Sequence, residues 1–313
     1  MPSADSPYRK ASTGRPATAL DLDVVIVNFD SGDHLRVCLE HIDAAGKGLN
    51  LDVVVFDNAS TDGSADGAED VDDRIRVMRS RVNVGYGAAC NRGVGATTAP
   101  FVCLLNPDIV PEPGSLTDMV HALARRAHIG VLGPRLVNPD GSVYPSCRVV
   151  PGLTVAVGHA LFGIFSENNP FTRAYKLLDI NRDREQEVDW VSGAAMFVRR
   201  EAFLQVDGFD EGFFMYVEDL DLCARMKLRG WKVVYYPGAQ MLHHVAGSSR
   251  RAPYKMIRHH HFSLIRYATL RLKGPMKVLV PVVVPALLAR MLVAWAEFYL
   301  RQGRDARQRR AVS

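Results

Sequence analysis

Cysteine is scarce for the length of the chain: five in 313 residues, at positions 38, 90, 103, 147 and 223. They are odd in number and widely scattered, and no two have the C-x-x-C spacing of a zinc or redox site. Cys38, Cys90, Cys103, Cys147 and Cys223 are therefore read as reduced, mostly buried thiols of a cytoplasmic protein. Charge of one sign is also lacking. Lys and Arg total 38 against 34 Asp and Glu, a net charge of +4, too weak to point to nucleic acid. There is no internal repeat, and the Ser-, Ala-, Thr- and Pro-rich start has no apolar signal-peptide core, so residues 1–20 are expected to be a flexible leader. Hydrophobic residues make up 48% and charged residues 23%, which excludes global disorder and leaves room for a real core.

A long uninterrupted apolar run is missing too. Val278 to Leu300 is strongly apolar, but Arg290 and Glu297 interrupt it, and Pro281 and Pro285 weaken a helix. A spanning helix needs about 20 apolar residues with few charges, and the uncharged part, Val278 to Ala289, is too short. An interfacial or re-entrant segment fits, with Lys277 and the arginine-rich tail (Arg301, Arg304, Arg307, Arg309 and Arg310 against Asp305) at headgroup level. The alternatives are a core helix or a dimer helix, which leaves a homo-oligomer open, and a solvated tail.

What is present alternates. Leu22 to Phe29, Leu51 to Phe56, Ile75 to Met78 and Phe101 to Leu105 read as strands, and His34 to Ala45, Gly87 to Ala96 and Leu116 to Ala127 as helices. That order predicts an α/β fold with a mostly parallel, Rossmann-like sheet flanked by helices. In such sheets ligands bind beyond the carboxyl ends of the strands. Asn28 and Asp30, Asp57 and Asn58, and Asn106 and Asp108 fall at those ends. Further along, Tyr144 to Phe165 reads as irregular and Glu167 to Asp189 as surface loop or helix. Trp190 to Val198 and Trp231 to Tyr236 read as strands, and Glu218 to Arg229 as a helix.

Five stretches carry candidate chemistry. Asp57 to Ser64 follows a strand and offers carboxylates to a nucleobase N–H or ribose hydroxyl, though these are also turn residues. Asn83 to Gly93 contains Gly85 and Gly87, small enough for close approach to a ligand. With Asp108 it also makes a loose dinucleotide fingerprint, weakened by Cys90 at the third small position. Asn106-Pro107-Asp108 places one carboxylate where Mg²⁺ would need only one or two, with substrate phosphates and water completing its shell. A strand-ending turn explains the same residues. Gly208 to Leu222 packs aromatic residues beside Glu218, Asp219 and Asp221 at a helix start, where acids suit either the helix dipole or general-base work. Arg225, four residues beyond Asp221, is placed for a same-face ion pair. His243-His244 before Gly247-Ser248-Ser249 is a metal or phosphate partner, or a surface loop. The run His259 to His261, flanked by Arg258 and Arg266, reads as a basic helix near phosphate or lipid more readily than as a metal site.

In this order the five stretches resemble glycosyltransferase family 2, and most closely its bacterial rhamnosyltransferase-like members, over about Leu22 to Arg250. The resemblance implies a GT-A fold. Residues 21–250 would form the glycosyltransferase domain, nucleotide-binding over 21–140 and acceptor-binding and catalytic over 141–250. Residues 251–300 would be a helical, membrane-associating extension and 301–313 a basic tail. It implies that Asn28, Asp57, Asn83 and Gly85 line the nucleotide pocket and that Asn106 and Asp108 are the D-x-D-type element. Ser192 and Gly193 would floor the nucleotide-sugar site, and Asp108 with His243 would hold a divalent cation, Mg²⁺ or Mn²⁺. Asp219 would be the catalytic base, with Glu218 the second candidate. Arg148 and Pro151 match an R-x-x-P-like element. Lys227-Leu228-Arg229-Gly230-Trp231 departs from the Q-x-x-R-W of processive synthases, which disfavours polymerisation. The implied activity is inverting transfer, with L-rhamnose from dTDP-L-rhamnose favoured. The interfacial C-terminus and the cytoplasmic cysteine pattern in turn suggest a polyprenyl-diphosphate-linked or other cell-envelope glycan as acceptor, at the cytoplasmic face of the bacterial inner membrane, with the protein peripheral. The alternatives are a galactofuranosyl- or other hexosyltransferase using a UDP-sugar, a dinucleotide oxidoreductase, and a non-catalytic sugar- or lipid-binding module.

Overall fold

A computed structural model describes residues 21–148, 169–170, 173, 181–245, 253–272 and 274–312, with side chains up to residue 300. The expected leader at 1–20, Pro151, most of the irregular stretch after Tyr144, Gly247-Ser248-Ser249 and the side chains of the basic tail lie outside the described residues. Contacts divide the chain into two compact units. One is Met1–Glu211 with Asp219–Ala246; the other is Gly212–Glu218 with Gly247–Ser313.

The first unit begins β1 (Asp21–Asn28), α1 (His34–Ala45), β2 (Asn50–Asp57), β3 (Ile75–Arg79), α2 (Tyr86–Gly95), β4 (Phe101–Leu105), β5 (Ile109–Pro111) and α3 (Ser115–Ala124). It continues through β6 (Ile129–Val137), β7 (Cys147–Arg148), β8 (Gln186–Glu187), β9 (Trp190–Val191), β10 (Ala195–Arg199) and α4 (Arg200–Leu204). Helix α5 (Glu218–Leu228) and β11 (Lys232–His243) complete it, the first residue of α5 falling in the second unit. Among the described residues, nine strands form one mixed sheet in the order β3-β2-β1-β4-β10-β6-β11-β5, with β8 beside β11. Six of the nine, β1 to β4 with β6 and β11, run in one direction, and β10, β5 and β8 run against them.

The period-2 geometry of strands explains why the apolar runs form this sheet. Leu22, Val24 and Ile26 face one core with α1 and α3. Val25 and Val27 face the other, with α2, α4 and α5. Both faces are dry, so the strands read as continuous apolar runs rather than as alternating ones. The chain passes β1, β2, β3 to one side and then returns to put β4 on the other side of β1. The strand order reverses between β1 and β4, the kind of switch point beyond whose carboxyl ends ligands bind in such sheets, and Asn28, Asn106 and Asp108 stand at those ends.

The structure corrects several readings. Trp190 to Val198 is not one strand: β9 pairs with β7 in a small separate sheet, Ser192 to Ala194 turn, and β10 joins the main sheet. The backbone of Gly193 is spent on side chains instead of a ladder, as described below. Strand β11 continues past Tyr236 to His243, through a register shift against β6. No simple sequence pattern marks β5, β6 or the short helix α4, and β7 and β8 lie in stretches expected to be irregular and surface loop or helix, each only two residues long and fixed by its pairing.

In the second unit, α6 (Pro253–Arg271) is followed by a 3₁₀ turn (Gly274–Leu279) and α7 (Val280–Val312). The rings of Tyr254 and Phe298 meet edge-on at 5.1 Å, and Trp295 Nε1 donates to the Tyr254 carbonyl at 3.2 Å. The prolines do not prevent this helix. Pro281 falls in its first turn, where the missing N–H has no helical partner to lose, and Pro285 is accommodated inside it. Nor do the charges end the run: Arg290 and Glu297 lie 3.7 Å from each other. Met276–Leu300, 25 residues, is long and apolar enough to cross a membrane by length and composition, and little of it is buried within the protein.

Candidate active site

The carboxyl end of β1 carries a fully buried amide. Asn28 Nδ2 donates to Asp57 Oδ1 at 3.1 Å, with Ser60 Oγ at 3.0 Å and Ser64 Oγ at 2.9 Å also within reach. Parallel register sets Asn28 opposite Asp57, so the strand-end pair follows directly from the sheet. Asp30, with φ of 47°, accepts the backbone N–H of Thr61 at 2.7 Å. The Asp57 to Ser64 turn is thereby tied to the end of β1.

Asn58 joins the next stretch to this one. Its Nδ2 reaches Asn83 Oδ1 at 3.1 Å and the Gly85 carbonyl at 3.3 Å, and its Oδ1 accepts the N–H of Val84 at 2.8 Å. Gly85, at φ of 89°, is the residue before α2, a backbone that side-chain-bearing residues disfavour. Asn28, Asp57, Asn83 and Gly85 thus form one continuous polar rim, with Asn58, expected beside Asp57 at the strand end, as the bridging residue.

Across the switch point, the Asn106 N–H donates to the Ala194 carbonyl at 2.8 Å, and β5 pairs with β11 so that Ile109 lies opposite His243. That pairing brings Asp108 Oδ2 to 3.6 Å from His243 Nε2. The gap exceeds a direct hydrogen bond. Both residues are nearly withdrawn from water, and His243 Nδ1 has no hydrogen-bond partner among the described residues. An oxygen donor and an imidazole so placed suit a divalent cation. Among the described residues no third His, Cys, Asp or Glu joins them, which fits a cation completed by phosphate and water. Tyr144 packs edge-on against His243 at 4.6 Å. Burial pushes its hydroxyl pKa up, with Arg148 opposing and Asp219 and Asp108 adding to the shift. Tyr144 is therefore electrostatically close to both carboxylates, and no sequence motif announces it.

Asp219 is held by backbone. Its Oδ2 accepts the Gly193 N–H at 3.0 Å and its Oδ1 accepts the Leu220 N–H at 2.8 Å. The Gly193 carbonyl accepts Tyr86 Oη at 2.6 Å, and Ser192 Oγ accepts the Ala194 N–H at 3.3 Å. A Cβ on Gly193 would lie 3.3 Å from the Tyr86 ring, so this turn has little room for a side chain. Desolvation raises the Asp219 pKa, and the Gly193 and Leu220 N–H groups and the Arg148 charge oppose the rise without cancelling it. Arg148 itself lies over the Trp190 ring at 5.2 Å. Asp221 has a different job: it pairs with Arg225 at 2.6 Å, the helix-spaced pair anticipated from sequence, and both are tied into α5 packing. Glu218, the first residue of α5, is buried. Tyr216 and Val217 just before it have φ of 68° and 71°, each costing on the order of 1–3 kcal/mol of backbone strain.

The dinucleotide reading loses its structural premise. The strands flanking α2, β3 and β4, are separated in the sheet by β2 and β1, whereas a dinucleotide fingerprint requires a local βαβ unit.

Comparison with known proteins gives the family and the fold. The model of the family described as "Glycosyl transferase family 2" matches residues 23–204, and that described as "N-terminal domain of galactosyltransferase" matches residues 182–260. An N-acetylglucosaminyl-diphospho-decaprenol L-rhamnosyltransferase of Mycobacterium tuberculosis is 39% identical over 264 residues, covering 81% of this chain and 85% of that protein. Rhamnosyltransferase WbbL of Escherichia coli is 29% identical over 168 residues, 53% of this chain and 61% of that one. Among solved structures, the mannosyltransferase PcManGT of Pyrobaculum calidifontis, in complex with GDP-Man and Mn²⁺, superposes with a TM-score of 0.53. It is 15% identical and covers 91% of this chain and 79% of that chain, a likeness of fold.

Proposed function

Because the chain belongs to glycosyl transferase family 2 and is a hexosyltransferase, we propose that it transfers L-rhamnose from dTDP-L-rhamnose, with inversion, to a hydroxyl of a polyprenyl-diphosphate-linked glycan. The observation that carries the chemistry is Asp219, a carboxylate fixed by two backbone N–H groups with its pKa raised by burial. The donor and acceptor classes draw support from the rhamnosyltransferase relatives.

In this reading Asn28, Asp57, Asn83 and Gly85 hold the nucleoside, while Asn106, Ser192 and Gly193 line the sugar. Asp219 takes the proton of the acceptor hydroxyl as that oxygen bonds to the anomeric carbon. The bond from that carbon to the nucleoside diphosphate breaks in the same displacement, which inverts the configuration. Glu218 is the second carboxylate available beside it. Asp108 and His243 would hold a divalent cation, Mg²⁺ or Mn²⁺, which when bound supplies neutralising charge to the leaving diphosphate. Residues 21–140 serve the nucleotide and 141–250 the acceptor. The 251–300 extension and 301–313 tail associate with the cytoplasmic face of the inner membrane, peripherally, at anionic headgroups.

A second reading, a hexosyltransferase using a UDP-sugar on the same site, is favoured by the galactosyltransferase-domain match over residues 182–260. Titration of dTDP-L-rhamnose and UDP-sugars with and without Mn²⁺ separates the two. Metal-dependent preference for dTDP-L-rhamnose supports the first reading; preference for a UDP-sugar replaces the donor and keeps the mechanism.

A further inference from the structure

The histidine run at 259–261 is not used by the transfer chemistry above, and its surroundings assign it another task. Residues Gly212–Glu218 belong to the same compact unit as α6 and α7, yet in sequence they lead straight into α5, whose first two residues are Glu218 and Asp219. Within this segment Tyr216 and Val217 adopt φ of 68° and 71°. A left-handed backbone is disfavoured for any residue with a Cβ, and most for a β-branched one. It persists where the surroundings over-determine it.

Those surroundings lie along α6. The His259 ring stacks on Phe214 with centroids 4.5 Å apart and planes 24° apart. His260 meets Tyr216 edge-on at 5.5 Å. Ser263 Oγ donates to the Met215 carbonyl at 2.9 Å, and the Arg266 guanidinium lies over the Phe213 ring at 5.2 Å. Residues 213 to 216 thus each have a partner on α6. His259, Ser263 and Arg266 are spaced i, i+4 and i+7, which puts them on one helix face. The third histidine, His261, turns its Nδ1 to the Ile257 carbonyl within the helix. Ring stacking and a hydrogen bond to a backbone carbonyl are directional contacts, suited to fixing a loop's conformation.

We propose that His259, Ser263 and Arg266 are positioning residues for the reaction: through Phe214, Met215 and Phe213 they fix the conformation of the strained segment from which the chain runs directly into Glu218 and Asp219. This rests on the reading of Asp219 as the base. It makes His259 a stacking group, for which an aromatic ring of any kind suffices, rather than an acid, a base or a phosphate ligand.

The test uses the full-length protein in detergent, with rates expressed per donor-binding site so that loss of folded enzyme does not register. The variants are His259→Ala, His259→Phe, Ser263→Ala and Asp219→Asn. Small displacements of reacting groups cost up to about 10²-fold in rate. His259→Ala and Ser263→Ala are therefore expected to lower kcat severalfold to that limit with the donor KM unchanged, and His259→Phe to recover most of the kcat lost in His259→Ala. Wild-type kcat per site in both His259→Ala and Ser263→Ala, alongside a strong loss in Asp219→Asn, overturns the positioning role and leaves the base assignment standing. Equal loss in His259→Phe and His259→Ala also overturns it, because the imidazole itself would then be what matters. Unchanged kcat in Asp219→Asn removes the base assignment and the positioning role with it. Should His259→Ala not fold, Ser263→Ala, which removes a single hydroxyl, still tests the positioning role: a lowered kcat per site supports it, and wild-type kcat beside a strong loss in Asp219→Asn overturns it.

Discussion

Asp219→Asn separates chemistry from architecture at nearly constant shape. In the native protein Oδ2 accepts from Gly193 and Oδ1 from Leu220. An amide offers one acceptor oxygen, so one N–H loses its partner and faces an NH₂ group. A lost hydrogen bond with an unsatisfied buried partner costs about 1–3 kcal/mol. Removal of a charge that burial already disfavours works in the opposite direction, so the net stability change is expected to be small. The rate is another matter. Loss of a general base costs about 10²–10⁴-fold, or about 2.7–5.4 kcal/mol of barrier at 1.36 kcal/mol per decade. The assay is kcat at saturating donor together with donor affinity by calorimetry: affinity should hold while kcat collapses. The pH dependence carries the same signature. Desolvation sets the folded pKa of Asp219 above the ordinary 3.8, so the acid limb of kcat/KM should fall above that value, with activity rising as the carboxylate ionises. For stability the sign is opposite: the contribution of the protonated carboxyl is full below the unfolded pKa and is lost as pH rises through the folded one. The asparagine variant should lack both effects. Turnover of Asp219→Asn within about tenfold of wild type, or donor affinity lost in parallel with kcat, would refute the assignment.

Other consequences are open to direct measurement. Asp108→Ala should abolish most of the Mn²⁺ dependence of donor binding while leaving metal-free binding close to wild type; a titration in which metal dependence survives would remove Asp108 from the cation site. Gly93→Ala would put a Cβ 2.4 Å from Val25 Cγ1 in the core, so urea unfolding should show a loss of about 1–3 kcal/mol, and an unchanged midpoint would contradict the packing of α2 on β1. All five cysteines are buried and none is in a disulfide, and burial pushes the Cys223 thiol up to about 12. A thiol reagent should label none of them in the folded protein and all of them in denaturant; fast native labelling would contradict this core.

Much of the architecture could be read from local pattern, because the parallel strands are dry on both faces. Phe101–Leu105 and His34–Ala45 match the observed bounds, and β1 and β2 differ by a residue or so at their ends. Strand β6 escaped because Gly130, Gly133 and Pro134 interrupt its apolar pattern. Its glycines answer to tertiary packing: a Cβ on Gly130 would meet Trp231 at 2.8 Å, and one on Gly133 would meet Val191 at 2.7 Å. The break at Ser192-Gly193 was hidden for a similar reason, since the groups that claim the Gly193 backbone, Tyr86 and Asp219, are 107 and 26 residues away in sequence.

The candidate site divides in the same way. Residues at strand ends, Asn28, Asp57 and Asp108, announce themselves, because the end of a strand is visible in sequence and the sheet then gathers those ends into one crevice. Tyr86 and Tyr144 do not, since each gains its role from partners that only the fold brings near. Within the acid cluster, spacing announces the Asp221–Arg225 pair but not what meets Asp219. In the structure Asp221 is engaged by Arg225 while Asp219 meets backbone N–H groups, a distinction set by the direction each side chain takes from α5. The assembly of the loop before Asp219 with α6 joins segments more than forty residues apart, with no periodicity to betray it.

The central claim is transfer of rhamnose to a lipid-linked acceptor, and its most direct measurement is incorporation of labelled rhamnose from dTDP-L-rhamnose into organic-extractable membrane lipid, with and without Mg²⁺ or Mn²⁺. The account predicts label in the lipid fraction that depends on the metal, with inverted anomeric configuration. Label that enters lipid only from a UDP-sugar, or no transfer to lipid from dTDP-L-rhamnose by an enzyme that binds it, would contradict that claim.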